Sequence, residues 1–119
     1  AEYPQERMAR VNENVLVFVT VGSTEEGKKI SQALIEDRLA ACVSIIWPVT
    51  STFRWEGDIC EETEGLLMIK TMSARLERII HRVKELHSYE TPEIIAMPVV
   101  GGSEEYLRWI SGEVGSGSR

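Results

Sequence analysis

The first part of the chain joins an unbroken apolar run to a helical repeat. Val15 to Val21 are nearly all apolar and rich in β-branched residues, which predicts a central strand buried on both faces. Ser23 and Glu26 then stand at the spacing of a capping box, in which each side chain bonds the backbone amide of the other. Apolar residues recur at helical spacing after them, so a first helix is predicted over about 24–38.

The middle of the chain alternates between apolar and polar residues, as a strand with one apolar face does. This pattern covers residues 43–56, where Pro48 predicts a bulge or an unpaired edge because proline has no amide hydrogen. Gly57-Asp58 predicts a two-residue turn, and the return strand is predicted from Ile59 to about Met72. The apolar positions of the first arm are Val43, Ile45, Trp47, Val49, Phe53 and Trp55. The turn predicts the facing pairs Arg54 with Glu61, Val49 with Leu66 and Trp47 with Met68.

The last part of the chain is predicted to form a helix, a strand and a second helix, in that order. Ser73 is predicted to cap a second helix with an apolar stripe between Leu76 and Leu86. A strand over Ile94 to Val100 and a short helix opened by Ser103 follow. The order βαββαβ plus a C-terminal helix predicts an α+β, ferredoxin-like fold, with an antiparallel sheet and both main helices on one face.

The predicted hairpin is longer than one domain of this size can cover. Each arm has about fourteen residues and would extend roughly 45 Å at ~3.3 Å per residue. A compact domain of this length has a radius of gyration near 13 to 14 Å, so the tip leaves its own core. Phe53 and Trp55 would then be exposed, which predicts pairing with further copies of the chain in a closed ring. The alternative is a strand that bends back at Pro48.

Size and charge limit the possible functions. The 119 residues suit one domain, predicted at 15–112 between a flexible N-terminal segment, 1–14, and a flexible tail, 113–119. A formal net charge of −6 disfavours nucleic acid and anionic membranes as partners. The apolar runs are too short for a membrane helix, and two separate cysteines indicate reduced thiols, so a cytoplasmic protein is expected.

Candidate chemistry gathers in three places. His87 to Glu93 holds an imidazole, a phenol and two carboxylates, which could bind a cation or could be a solvated loop. Glu62 and Glu64 share one face of the return strand, where they could bind a divalent ion or only contact water. Cys42 is most simply interpreted as a buried structural thiol. Together with His87 it could bind copper or zinc if the fold brought the two side chains together. No catalytic residue is assigned.

Five stretches of the chain carry a resemblance to a known family. They are Arg38–Ser44, Thr50–Gly57, Lys70-Thr71, His87–Ile94 and Gly102 with Tyr106–Trp109. Together, in this order and across about residues 15–112, they resemble the CutA family of divalent-cation tolerance proteins. The resemblance implies a ferredoxin-like subunit in a tight homotrimer, with long hairpins that pair around the assembly. It also implies tolerance of copper and other divalent metals, no catalytic reaction, and likeness to the PII signalling trimers, whose ligands lie in clefts between subunits.

The chain departs from the family at the copper ligands that some members use. The family's cysteine on the first strand is Val19 here, and its second histidine is Leu86, so only His87 of that set is present. Two further usual residues, a proline and a tyrosine, are replaced by Ser88 and Phe53. The matching cleft residues are all present, namely Trp55, Glu64, Lys70, Tyr89, Glu90 and Glu93.

Three hypotheses follow from the sequence. The leading one is a cytoplasmic, non-enzymatic homotrimer for divalent metal tolerance, in which His87 with Glu90, Glu93 or Cys42 contacts copper or another divalent cation weakly. The second is a PII-like sensor of a small anionic or nucleotide ligand, with Lys70 as the charge and Tyr89 and Trp55 as walls. The third is a structural trimer without a ligand.

Overall fold

The computed structural model describes residues 12–115 and has the predicted order of elements. Residues 1–11 and 116–119, which include most of the predicted flexible ends, lie outside the described residues. The elements are β1 (Asn14–Val21), α1 (Thr24–Glu36), β2 (Cys42–Trp55), β3 (Asp58–Met72), a 3₁₀ turn (Ser73–Arg75), α2 (Leu76–Leu86), β4 (Ile94–Pro98) and α3 (Glu104–Val114).

The four strands form one antiparallel sheet in the order β2-β3-β1-β4. This confirms the predicted mixed α+β architecture with an antiparallel sheet. Several boundaries differ from the prediction: Asn14 already belongs to β1, β4 ends at Pro98 before the predicted Val100, and α3 continues to Val114 into the predicted tail. Ser73 does not cap α2 directly, because it begins the 3₁₀ turn and its hydroxyl accepts a hydrogen bond from the amide of Glu13.

The core lies between one face of the sheet and helices α1 and α2. Alternate residues of β1, from Val15 to Val21, are fully buried there against Ile30 and Leu34 of α1 and Ile79 of α2. Of the residues between them, Leu16 and Phe18 are only half-buried in the single chain. The prediction that β1 is buried on both faces is therefore wrong for one chain, because α1 and α2 cover only one side of the sheet and α3 covers only the end of the other side near Met72.

The hairpin turn lies one residue earlier than predicted. Trp55 pairs with Asp58, so the two turn residues are Glu56 and Gly57, whose φ angles are 50° and 88°. Two positive φ angles define the hairpin turn that favours glycine at its second position, and this explains why Gly57 ends the turn and does not begin it. The predicted pairs are consequently wrong: Arg54 faces Ile59, Val49 faces Glu64, and Leu66 faces Ile46.

The predicted bulge at Pro48 is confirmed. The pairing shifts between Ile46 and Val49, so that two residues, Trp47 and Pro48, oppose the single residue Gly65. A Cβ atom at position 65 would lie 3.0 Å from the Trp47 ring, which explains the glycine there.

The bulge also breaks the apolar face that was predicted for β2. Val43 and Ile45 pair with Ile69 and Leu67, which are buried under the helices, whereas Val49 pairs with Glu64 and Phe53 with Cys60 on the opposite face of β3. The six odd-numbered apolar residues therefore lie on two faces of the sheet.

The hairpin tip extends away from the core, as its length predicts. The radius of gyration is 14.8 Å and the longest axis is 42 Å, slightly larger than the ~13–14 Å radius of a compact domain. Trp55 and Ile59 at the tip are 61% and 71% exposed. Large apolar side chains at this exposure are typical of a surface that another molecule covers.

Candidate functional site

A cavity of about 540 Å³ opens where the hairpin meets the loop that follows α2. The end of β1 contributes Thr20 to its wall. The hairpin contributes Phe53, Trp55, Cys60, Glu62 and Glu64, and the loop contributes Tyr89, Glu90, Thr91 and Glu93. The cavity therefore combines side chains from three segments that are far apart in the sequence.

Strand alternation explains the acidic side of this cavity. Cys60, Glu62 and Glu64 lie on one face of β3 and point into it, while Glu61 pairs with Thr52 on the other face. This confirms the predicted division of the three glutamates between the faces of β3. Four carboxylates line the cavity, and none of its lining residues in the described part of the chain is a lysine or an arginine.

Tyr89 joins the loop to the hairpin. Its hydroxyl donates a 2.8 Å hydrogen bond to Oε2 of Glu64, a carboxylate that is only 7% exposed. Burial raises the pKa of Tyr89 to about 12, and the hydrogen bond to the negatively charged Glu64 contributes to the same shift. The phenol is therefore a stable donor at neutral pH and keeps one oxygen of Glu64 occupied.

His87 lies behind the cavity wall and does not line it. Its side chain is fully buried, and Nδ1 accepts a 3.0 Å hydrogen bond from the amide of Tyr89. Nε2 therefore carries the proton and donates to the carbonyl of Thr20 at 2.6 Å. Both ring nitrogens are in use, so His87 positions the Tyr89 loop and presents no free lone pair to a metal ion within the chain.

Glu26 anchors the same loop from α1, a role that the sequence did not reveal. Its Oε2 accepts a 2.6 Å hydrogen bond from the amide of Ser88, and its Oε1 accepts one of 3.1 Å from the amide of Gly22. Partial burial alone would raise the pKa of Glu26, but these hydrogen bonds outweigh it and lower the pKa. The predicted cap by Ser23 is confirmed, since its hydroxyl accepts from the amide of Glu26 at 3.1 Å, but the Glu26 carboxylate bonds the amide of Gly22 and not that of Ser23.

Cys42 and Lys70 form a separate polar cluster. They are cross-strand partners, with Lys70 Nζ 3.8 Å from the Cys42 sulfur and 2.5 Å from the hydroxyl oxygen of Ser44. Lys70 pairs with Leu16, four strand positions from Thr20, so the cluster lies about 13 Å along β1 from the carbonyl that binds His87. Within one chain the structure does not bring Cys42 to His87, nor Lys70 to the cavity.

The predicted site residues thus divide into three groups. Trp55, Glu64, Tyr89, Glu90 and Glu93 line the cavity, His87 supports it from behind, and Cys42 and Lys70 lie elsewhere. Reasoning from the sequence did not include Thr20, Phe53, Cys60 or Thr91, although the parity of β3 already placed Cys60 on the face of Glu62 and Glu64.

Among residues 12–115, no three histidine, cysteine, aspartate or glutamate side chains are arranged to hold one metal ion. The four cavity glutamates line a common space without converging on a point. A metal ion in the cavity would therefore need further ligands from water or from another chain. No helix in this same range is both long enough and apolar enough to span a membrane.

Comparisons with known proteins agree with this fold. The family model of the CutA1 divalent ion tolerance protein matches residues 15–113. The divalent-cation tolerance protein CutA of Thermus thermophilus is 44% identical over 100 residues, 84% of this chain and 97% of that protein. The chloroplastic CutA of Arabidopsis thaliana is 39% identical over 105 residues, 88% of this chain.

Solved structures give the same result. The periplasmic divalent cation tolerance protein CutA of Archaeoglobus fulgidus matches with a TM-score of 0.83 and 40% identity, over 86% of this chain and 99% of that one. CutA1 of Oryza sativa matches with a TM-score of 0.85 and 38% identity, over 89% and 96% of the two chains. The chain spans 58% of the length of the Arabidopsis relative and 52% of the mouse protein CutA.

Proposed function

The chain belongs to the CutA1 divalent ion tolerance family, and from this premise we propose that it acts as a non-enzymatic homotrimer in the response to divalent metal ions, copper among them. In this proposal the clefts between subunits bind a metal ion weakly or a small ligand. The single observation that carries it is the acidic cavity along the turn-proximal half of a hairpin whose tip is exposed.

The exposed surfaces support assembly. Trp55 and Ile59 at the hairpin tip, and Ile95 and Met97 on the sheet face opposite α1 and α2, are large apolar side chains that one chain leaves exposed. A hairpin that pairs with a neighbouring copy buries its tip and forms hydrogen bonds with the unpaired backbone groups of its edge strand. A closed ring then leaves no exposed strand edge to which further copies could add. Such a ring would place the cavity beside a neighbouring subunit.

The cavity chemistry supports a cation over an anion. Carboxylate oxygens suit hard divalent ions, and a second chain or water could complete the coordination that one chain lacks. A PII-like anionic or nucleotide ligand is less favoured, because Lys70 donates to Ser44 away from a cavity that carries four glutamates. The Cys42 and His87 pair would likewise need two different chains to meet.

The proposed location is the cytoplasm, and the proposed partner is the chain itself, with neither nucleic acid nor membrane. The net charge of −6 supports the exclusion of anionic partners. Two relatives are described as chloroplastic and periplasmic, so fractionation of the native cells is the direct check of location.

Calorimetric titration with Cu²⁺ and Zn²⁺ tests the metal proposal. We expect weak binding, with an affinity that falls by about tenfold in the double variant Glu90→Gln/Glu93→Gln, since two charged ligands are lost. Glu104→Gln with Glu105→Gln removes the same charge from the exposed start of α3 and is the matched control. Negligible binding to the unaltered chain, or equal losses in both double variants, would refute metal binding at the cavity. Cys42→Ala tests the thiol separately.

A further inference from the structure

Helix α3 packs on the rest of the chain through a small apolar cluster of its own. Ile110 and Val114 of α3 are buried with Met72, and Ala41 and Leu107 lie at the margin of this cluster. Among residues 12–115, the main core between the sheet and helices α1 and α2 contains no residue of α3. A segment with few buried apolar contacts opens at a lower free energy than the core does. Apolar packing alone therefore holds α3 weakly.

Two arginines from outside α3 bind the carbonyls at its C-terminal end. Arg75 in the 3₁₀ turn donates to the Val114 carbonyl oxygen through Nε at 3.1 Å and through Nη2 at 2.6 Å. Arg38, which follows α1, donates through Nη1 to the carbonyl oxygen of Glu113 at 2.9 Å. The last carbonyls of a helix have no partner within the helix and carry partial negative charge, so both guanidinium groups stabilise docked α3.

Arg38 has a backbone conformation that favours glycine. Its φ angle is 57°, and it directly follows Asp37, the C-cap of α1, at the position where glycine ends many helices. The side chain of Arg38 is exposed, so burial does not explain why an arginine stands there. A strained backbone at a residue with a specific contact points to a role for that contact. The strain lies at the end of α1, whereas the side chain acts on α3.

We propose that α3 undocks from the sheet as a unit while the core stays folded, and that Arg38 is a positioning residue that keeps α3 docked. Docked α3 covers the end of the sheet near Met72, on the face opposite α1 and α2, and undocked α3 exposes it. The device thus controls the exposure of that end of the sheet. It requires neither a metal ion nor the acidic cavity.

Hydrogen exchange of the full chain, followed by mass spectrometry, tests the proposal. In the unaltered chain, the amides of α3 should exchange at least about tenfold faster than those of β1, and low urea concentrations should hardly accelerate them. Arg38→Met should accelerate the exchange of both α3 and β1 by about tenfold, since the folded chain loses a charge-assisted hydrogen bond that neither open state has. Arg78→Met removes the same charge from the exposed side of α2 and should change both rates by less than about twofold.

Arg38→Gly separates the opening of α3 from global unfolding. Glycine removes the hydrogen bond to α3 but also relieves the strain at the end of α1, which persists when α3 alone opens. The exchange of α3 should therefore again rise by about tenfold, while that of β1 should rise by less than about threefold. Exchange of α3 as slow as that of β1 in the unaltered chain, or equal changes of α3 and β1 in Arg38→Gly, would overturn the inference. So would exchange of α3 that Arg38→Met leaves unchanged. No metal is present in these measurements, so their failure is distinct from a failure of the proposed function.

Discussion

The two faces of the sheet differ in how far the chain itself buries their apolar side chains. On the helix-covered face, Val17, Val19, Leu34 and Ile79 are fully buried by their own chain. On the open face, which carries Leu16, Phe18, Ile95 and Met97 and continues into the hairpin tip, apolar side chains are half-buried or exposed. The chain thus covers one face of the sheet and leaves much of the other uncovered. The cavity lies where the open face meets the hairpin.

The largest expected effect on stability is the difference between truncating a buried residue and truncating an exposed residue of the same helix. Leu34→Ala removes a fully buried side chain of α1 and is expected to lower the free energy of unfolding by about 2–5 kcal/mol. Ile35→Ala changes the next residue, which is 41% exposed, and should cost less than about 1 kcal/mol in the isolated subunit. Urea unfolding of both variants measures the difference. Equal losses would contradict the packing of α1 on the sheet through Leu34.

The next largest effect on stability is expected at the bulge, where the apolar side chains of β2 change from one face of the sheet to the other. Gly65→Ala would bring a Cβ atom to 3.0 Å from Trp47 and 3.1 Å from Val21 and is expected to cost about 1–3 kcal/mol. Gly112→Ala in α3 meets nothing within 4 Å and should stabilise the chain by about 0.5–1 kcal/mol. Thermal melting compares the two. A neutral Gly65→Ala would show that the bulge is not packed as described.

Substitution of Glu26 tests how α1 anchors the loop that lines the cavity. Glu26→Gln weakens the hydrogen bonds from Gly22 and Ser88 and should cost about 1 kcal/mol at pH 7, whereas the exposed neighbour Glu25→Gln should cost little. The folded pKa of Glu26 lies below its ordinary 4.5, so this stabilisation is present above pH 4.5 and is lost as the pH falls through the folded pKa. A difference between wild type and Glu26→Gln that persists unchanged in acid would contradict this account.

The effect of Tyr89 is absent at neutral pH and appears only in alkali. Its folded pKa of about 12 lies above its ordinary 10.0, so its contribution is complete below pH 10 and is lost as the pH rises through 12. Tyr89→Phe lacks this ionisation, so wild type should lose more stability than the variant between pH 10 and 12. Parallel denaturation curves at several alkaline pH values measure it. Equal slopes for both chains would refute the hydrogen bond to Glu64.

The sequence predicts the fold well where local rules decide it. The capping role of Ser23, the bulge at Pro48 and the order of strands and helices all follow from short-range chemistry and periodicity. The turn was misplaced because Gly57 was assigned the first position of the turn, although the paired positive φ angles favour glycine at the second. That one-residue error changed every facing pair that was predicted for the hairpin.

The site was predictable only in part. The polar loop marked Tyr89, Glu90 and Glu93, and strand parity marked Glu62 and Glu64, so most of the acidic wall follows from the sequence. The buried role of His87 depends on the Thr20 carbonyl, 67 positions away, and Glu26 meets Ser88 over 62 positions. Such long-range hydrogen bonds leave no periodic signal, so the sequence suggested His87 as a ligand but not its contact with the Thr20 carbonyl.

The mass of the chain in solution tests the central claim most directly, which is that the hairpin and the open face are completed by further copies of the chain. Size-exclusion chromatography with light scattering should give about three times the 13.4 kDa of one chain. Ile59→Asp, which places a charge at a tip position that is 71% exposed, should reduce that mass while the subunit stays folded. A monodisperse species of 13.4 kDa for the unaltered chain at micromolar concentration would contradict the account.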